Sequence, residues 1–163
     1  MAPRTEGRAE LRRSVSRAVL VDGPEGEPAV ATEEAREALR RIVGEALLLQ
    51  DLAEDILEGV RAQRPLCELA RPGGVLAGRF VALRRALPAC GDAELRRHRD
   101  VVARVLDHHA MMLSAALDLL AADWRSERMR EQLERIDGLG GPARWLRAVG
   151  EELGATRRVA APR

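Results

Sequence analysis

Apolar residues recur between residues 35 and 60 at alternating steps of four and three. The positions are Ala35, Leu39, Ile42, Ala46, Leu49, Ala53, Ile56 and Val60. Residues at this spacing line one stripe of an α-helix, and such a stripe is stable only when other helices cover it. The pattern therefore predicts a long helix that belongs to a helical bundle.

Capping residues and helix breakers predict the limits of this first helix. Thr32 is a favourable N-cap, and the acidic residues after it suit the positive end of the helix dipole. Pro65 disfavours a helical conformation for the residue before it, so we expect the helix to end near Arg64. Residues 32–64 carry eight acidic residues against five arginines, a net charge of −3.

A shorter second helix is predicted over about 75–87, after a Pro-Gly-Gly turn at 72–74. Its apolar seam consists of Leu76, Phe80, Leu83 and Leu87. Residues 65–91 carry four arginines and one acidic residue, a net charge of +3. We therefore expect this helix to lie against the acidic face of the first helix, in its own chain or in a neighbour's.

The third predicted helix is capped by Asp92 and continues to about Asp123. Over 101–122 it is apolar around most of its circumference. One narrow polar stripe consists of Arg104, Asp107, Ser114 and Asp118, and it also carries Met111. A helix of this kind needs neighbours on most sides, which two or three helices of a small chain and a second protomer would supply. We expect a homodimer, with an association surface that consists of Val101, Val105, Met112, Ala116 and Leu119.

The rest of the chain predicts one more main helix. Ser126 and Glu127 indicate either a restart after Trp124 or a helix that continues to Ile136. The last helix is expected at about 143–153, with Leu146, Val149 and Leu153 buried and Trp145 beside them. The resulting fold class is an all-α antiparallel bundle of four main helices, or five, with a loosely ordered tail at 1–31, the bundle at 32–154 and a basic tail at 155–163.

Composition narrows the function classes. The chain has 163 residues, its 27 basic residues are all arginine, and Lys, Asn and Tyr are absent, which indicates the codon bias of a GC-rich bacterial genome. A net charge of +1 gives no global field for nucleic acid or an anionic membrane. No membrane-length apolar run or signal-type N-terminus is present, and the two cysteines give no disulfide framework. These features predict a cytoplasmic protein.

Histidine and methionine on the third helix are the first candidate chemistry. His108 and His109 each lie about one helical turn from Met112, a pairing that can ligate haem iron or copper. No further ligand motif accompanies them, and core packing explains the same residues. A metal, haem or ligand sensor is therefore an alternative interpretation.

Arg104 and His109 have an Arg-X4-His spacing that resembles that of HEPN-type ribonucleases, which are small helical dimers. The resemblance implies that this pair would activate a ribose hydroxyl and hold the phosphate. Because arginine is abundant here, chance alone also produces such a spacing, and the pair lies within an apolar helix. A HEPN-like ribonuclease is the second alternative.

No other motif points to catalysis, and no cofactor or metal site is predicted. The basic run that includes Arg84, Arg85, Arg96 and Arg97 lacks aromatic residues on which bases could stack, so nucleic acid is not the expected ligand. The sequence predicts a non-enzymatic interaction or regulatory module, in which an apolar helix face would recognise another helix of its own kind or a partner protein. It identifies neither that partner nor whether residues 1–31 fold on binding.

Overall fold

The computed structural model describes residues 27–122, 127, 131, 132, 135, 136 and 138–155. This part of the chain is all-helical, as predicted, with four helices packed against one another: α1 (Glu27–Arg61), α2 (Leu66–Arg85), α3 (Ala93–Ala121) and α4 (Gly140–Glu152). α3 contacts each of the other three helices, and α1 also contacts α2 and α4. None of the described helices is long and apolar enough to cross a membrane.

The apolar seam of α1 forms a large share of the core. All eight residues of the predicted stripe are buried, as are Val43 and Leu57 beside it. The predicted N-cap at Thr32 is wrong, because α1 begins at Glu27 and Thr32 lies within it. Pro28 suits a first helical turn, where a missing N–H costs nothing. The helix ends at Arg61, close to the predicted limit, and Gln63 follows it with a left-handed φ of 53°.

The second helix is longer than its sequence indicates. α2 begins at Leu66, so the turn expected at 72–74 lies inside a continuous helix. Gly73 is buried there, and a Cβ on it would come within 2.9 Å of Leu117 Cδ1 and 3.3 Å of Ile56 Cγ2. The glycine therefore allows α2 to approach α1 and α3 closely. This packing outweighs the low helix propensity of the Pro-Gly-Gly segment.

The contact between the acidic first helix and the basic second helix is confirmed within one chain. Arg79 on α2 forms an ion pair with Glu45 on α1. Further along the two helices, the Leu69 side chain lies against Gly59. Arg84 extends the charge pairing to α3, with its Nε 3.1 Å from Asp107 Oδ2.

α3 matches its prediction closely. The Asp92 carboxylate accepts a hydrogen bond of 2.8 Å from the Leu95 N–H, which confirms the N-cap, and the helix ends at Ala121. Every residue of the predicted polar stripe, including Met111, is exposed, and we call it the outward stripe. The opposite side of α3 is covered by α1, α2 and α4 of the same chain.

α4 is attached to the bundle through the loop before it. Glu54 on α1 accepts a hydrogen bond of 3.0 Å from the Leu139 N–H, so a carboxylate lies at the positive end of α4. Leu146, Val149 and Leu153 are buried as expected. Trp145 is not buried with them, since it is 60% exposed.

Several predicted segments fall outside the described residues. These are the tail before residue 27, most of the segment between Trp124 and Ile136, and the basic tail after residue 155. Residues 27–31, which the sequence assigns to the tail, begin α1.

Candidate functional site: a groove between the third and fourth helices

An open groove of about 480 Å³ lies between α3 and α4. Its α3 wall consists of Val101, Arg104, Val105 and His108. Its α4 wall consists of Pro142, Trp145, Ala148 and Val149. The lining is mostly apolar, and the polar groups lie on the α3 side.

Helical periodicity builds both walls. Val101, Val105 and His108 follow the steps of four and three that place residues on one helix face. Pro142, Trp145 and Val149 do the same on α4. Each wall is therefore about 10 Å long, or two helical turns. Two parallel ridges of this length form a groove of the kind into which a third helix packs.

Trp145 is the largest apolar side chain of the groove and the least covered. It is 60% exposed, and Met111, one turn beyond His108 on α3, is 58% exposed. Covering a side chain such as Trp145 is worth about 2 kcal/mol. The groove therefore offers a partner an anchor that the described part of the chain does not bury.

The charge at the rim of the groove is positive. Arg104 Nε donates only to the Asp100 backbone carbonyl, at 3.3 Å, and the structure shows no carboxylate partner for it among the described residues. Arg144 is exposed on α4, four residues before Ala148, and has no ion-pair partner in that part of the chain either. Two cations without carboxylates favour an acidic group on whatever occupies the groove.

His109 belongs to the core and not to the groove. It is fully buried, its Nε2 lies 3.5 Å from Gln50 Oε1, and its ring meets the edge of Phe80 at a centroid distance of 5.2 Å. Burial, with a smaller contribution from His108, lowers the pKa of His109 to about 4. The imidazole is therefore neutral at pH 7.

The Arg104–His109 pair, singled out by its spacing, is separated in space. Five residues along a helix turn through about 140°, so Arg104 points outward while His109 points into the core. The two side chains share no surface on which an RNA strand could contact both. No group of three or more His, Cys, Asp or Glu side chains in the described residues could hold a metal ion.

The residues predicted for association fall into two groups. Val105 and Ala116 are buried by their own chain, whereas Val101, Met112 and Leu119 are partly buried and keep some accessible surface. Val101 lines the groove, and Leu119 lines a second open groove with Ala115 and Asp118. The sequence did not predict the α4 wall of the groove. The signal that could have indicated it is Trp145, one turn after Pro142 in a short amphipathic helix.

The basic run near the α2–α3 turn is partly paired within the chain. Arg84 contacts Asp107, and Arg99 contacts its neighbour Asp100 at 2.7 Å. His98 Nε2 lies 2.6 Å from Glu152 Oε2. These pairs leave less free positive charge than the sequence indicates.

The cysteines offer no reactive pair. Cys90 is buried and lies 3.6 Å from the Pro88 carbonyl oxygen, to which its thiol donates, and burial raises its pKa. Cys67 is exposed on α2. A raised pKa keeps Cys90 in the unreactive thiol form at neutral pH.

Comparison with protein-family models, with curated proteins and with solved structures finds no match to this chain.

Proposed function

We propose that the protein is a non-enzymatic interaction module that binds an amphipathic helix of a partner protein in the α3–α4 groove. The observation that carries this proposal is Trp145, which lies 60% exposed in an apolar groove two turns long. A partner helix would place apolar side chains at i, i+4 and i+7 into the groove. An acidic residue on its flank would meet Arg104 and Arg144.

The finer features of the assembly belong to the same proposal. Contacts between α1 and α2 support an antiparallel bundle, because Leu69, Gly73 and Arg79 meet successively earlier residues of α1. Two free cysteines are typical of a reducing compartment, which supports a cytoplasmic location in a bacterial cell. The protein would act as a homodimer.

Peptide titration monitored by tryptophan fluorescence tests the groove. The chain has two tryptophans, so a Trp124→Phe background leaves Trp145 as the reporter. The probes are two designed amphipathic helical peptides with the same leucine face, one flanked by glutamates and the other by lysines. We expect the glutamate-flanked peptide to bind roughly fivefold more tightly and to shift the Trp145 emission, since two exposed ion pairs contribute about 1 kcal/mol together.

Charge reversal supplies the matched control. Arg104→Glu with Arg144→Glu should invert the peptide preference, whereas Arg41→Glu, on the exposed side of α1, should leave it unchanged. Equal binding of both peptides, or no change at Trp145 with either, would contradict the proposal. Binding of a small apolar dye with no response to either peptide would favour the ligand-sensor alternative.

A further inference from the structure

A second apolar surface lies on the opposite pair of helices. Leu48 and Leu52 on α1 are 74% and 52% exposed, and Val75 on α2 is 60% exposed. The Arg79–Glu45 ion pair links α1 and α2 close to these residues. Residues three or four apart share a helix face, so this ion pair sets Leu48 and Val75 on the same outward side of the α1–α2 pair. We call this side the outer face.

Two of the exposed charges on the outer face are opposite in sign and lie at about the same height. Asp55 lies seven residues after Leu48 on α1, and Arg71 lies four residues before Val75 on α2, so both share the face of the apolar residues. Their heights along the helices are similar because Ile56, next to Asp55, packs against Gly73, which lies two residues after Arg71. Both are exposed, and neither has an ion-pair partner among the described residues.

We infer that the outer face binds a second copy of this chain. A twofold axis parallel to the helices would lay α1 of one protomer over α2 of the other without changing their heights. Asp55 would then meet Arg71 of the partner subunit, and the symmetry would form the same pair a second time. The exposed leucines and Val75 would be covered next to the two ion pairs, on the side of the N-terminal part of α1. A charge pattern that complements itself in this way favours a second copy over an unrelated partner.

The dimensions of the outer face suit a dimer interface. α2 has 20 residues and is therefore about 30 Å long, and two packed helices are roughly 20 Å wide. The resulting plan area of about 600 Å² is close to the roughly 800 Å² that each partner buries in a specific interface. This inference rests on the homodimer of the proposed function and moves its interface from α3 to α1 and α2.

Sedimentation velocity of the full chain between about 1 and 100 μM, with a charge swap, tests the interface. Asp55→Arg and Arg71→Asp should each weaken dimerisation by roughly 100-fold or more, because like charges would face each other twice. The double variant Asp55→Arg/Arg71→Asp should dimerise like the wild type. A mixture of the two single variants should form heterodimers only, since each then supplies the charge that the other lacks.

Two further variants separate the outer face from other surfaces. Leu48→Glu should give a monomer with an unchanged circular dichroism spectrum, since this side chain is 74% exposed. Asp118→Arg, on the outward stripe of α3, should leave the dimer intact. A wild-type monomer at 100 μM would overturn the inference, as would a dimer that survives Leu48→Glu and is lost with Met112→Glu. Peptide binding at Trp145 is read independently, so failure of either proposal can be recognised without the other.

Discussion

Acidification should destabilise the protein through His109. Its pKa falls from an ordinary 6.5 to about 4 in the folded state, because the ring is buried. The groups around it are Gln50 from α1, Phe80 from α2 and the neighbouring His108. The described contacts include no carboxylate that could stabilise the charged ring. Between pH 4 and 6.5, His109 is therefore mostly protonated in the unfolded chain and mostly neutral in the folded chain.

The sign and size of the effect follow from linkage. Because the unfolded state binds more protons, the stability that neutral His109 provides is complete above pH 6.5 and is lost as the pH falls toward 4. Each pKa unit corresponds to 1.36 kcal/mol, so lowering the pH from 7 to 4.5 should remove about 2.5 kcal/mol through this residue alone. With a urea m-value of roughly 2 kcal/mol/M, the unfolding midpoint should fall by about 1 M.

Urea unfolding at pH 7 and pH 4.5 measures this loss, and His109→Gln isolates it. The glutamine cannot titrate, and its amide can donate to Gln50 Oε1, so the variant should lose about 2.5 kcal/mol less than the wild type between the two pH values. Carboxylates contribute equally to both proteins and cancel. NMR of the His109 ring gives a second readout, in which the ring should remain neutral at pH 5.5. Equal pH dependence in both proteins, together with a ring that is protonated at pH 5.5, would refute the reasoning.

Four substitutions test the packing and capping contacts by urea unfolding. Gly73→Val should destabilise the fold by about 1–3 kcal/mol, because the new Cβ would meet Leu117 at 2.9 Å. Gly74→Ala is the control, since position 74 faces open space, and it should stabilise the fold by up to about 1 kcal/mol. An unchanged unfolding midpoint for Gly73→Val would mean that α2 does not approach Leu117 on α3 as closely as the structure shows. Asp92→Ala should lower the free energy of unfolding by about 1 kcal/mol, because the N-cap hydrogen bond of α3 is lost. An unchanged urea midpoint would show that water replaces the Asp92 carboxylate as the acceptor. Glu54→Ala should cost about 1–3 kcal/mol and speed amide exchange at Leu139 in particular; uniform exchange along α4 would argue against a local contact.

Local chemistry explains why the sequence predicts some elements well. The seam from Ala35 to Val60 is buried throughout because its spacing is a property of the helix itself. Asp92 caps α3 because an N-cap needs only backbone groups two or three residues away. The outward stripe of α3 follows from four polar residues at helical spacing, which also place Met111 on the same side. In these cases the decisive contacts lie within one helix or on its exposed side.

Contacts between helices explain the errors. A Pro-Gly-Gly segment has low helix propensity, and only the approach of Leu117 and Ile56 shows why glycine is needed at 73. The exposure of Trp145 depends on where α4 lies, which is fixed in part by a hydrogen bond from Leu139 to Glu54, 85 residues earlier. The α3–α4 groove depends on the same placement. The sequence identifies Val101 and Val105 as candidates but contains no local signal for the opposite wall.

The two proposed surfaces imply bivalent binding. The groove at Trp145 is lined by α3 and α4 and by none of the α1 and α2 residues of the outer face, so a dimer formed through the outer face would leave the groove open in both protomers. A partner with two helices in tandem could then occupy both grooves and bind about 10²–10⁴-fold more tightly than a single helix. Asp55→Arg should remove this gain while leaving the affinity for a single peptide unchanged. If the monomeric variant binds a tandem peptide as tightly as the wild type does, each groove binds its helix independently, and dimerisation does not contribute to the affinity for tandem helices.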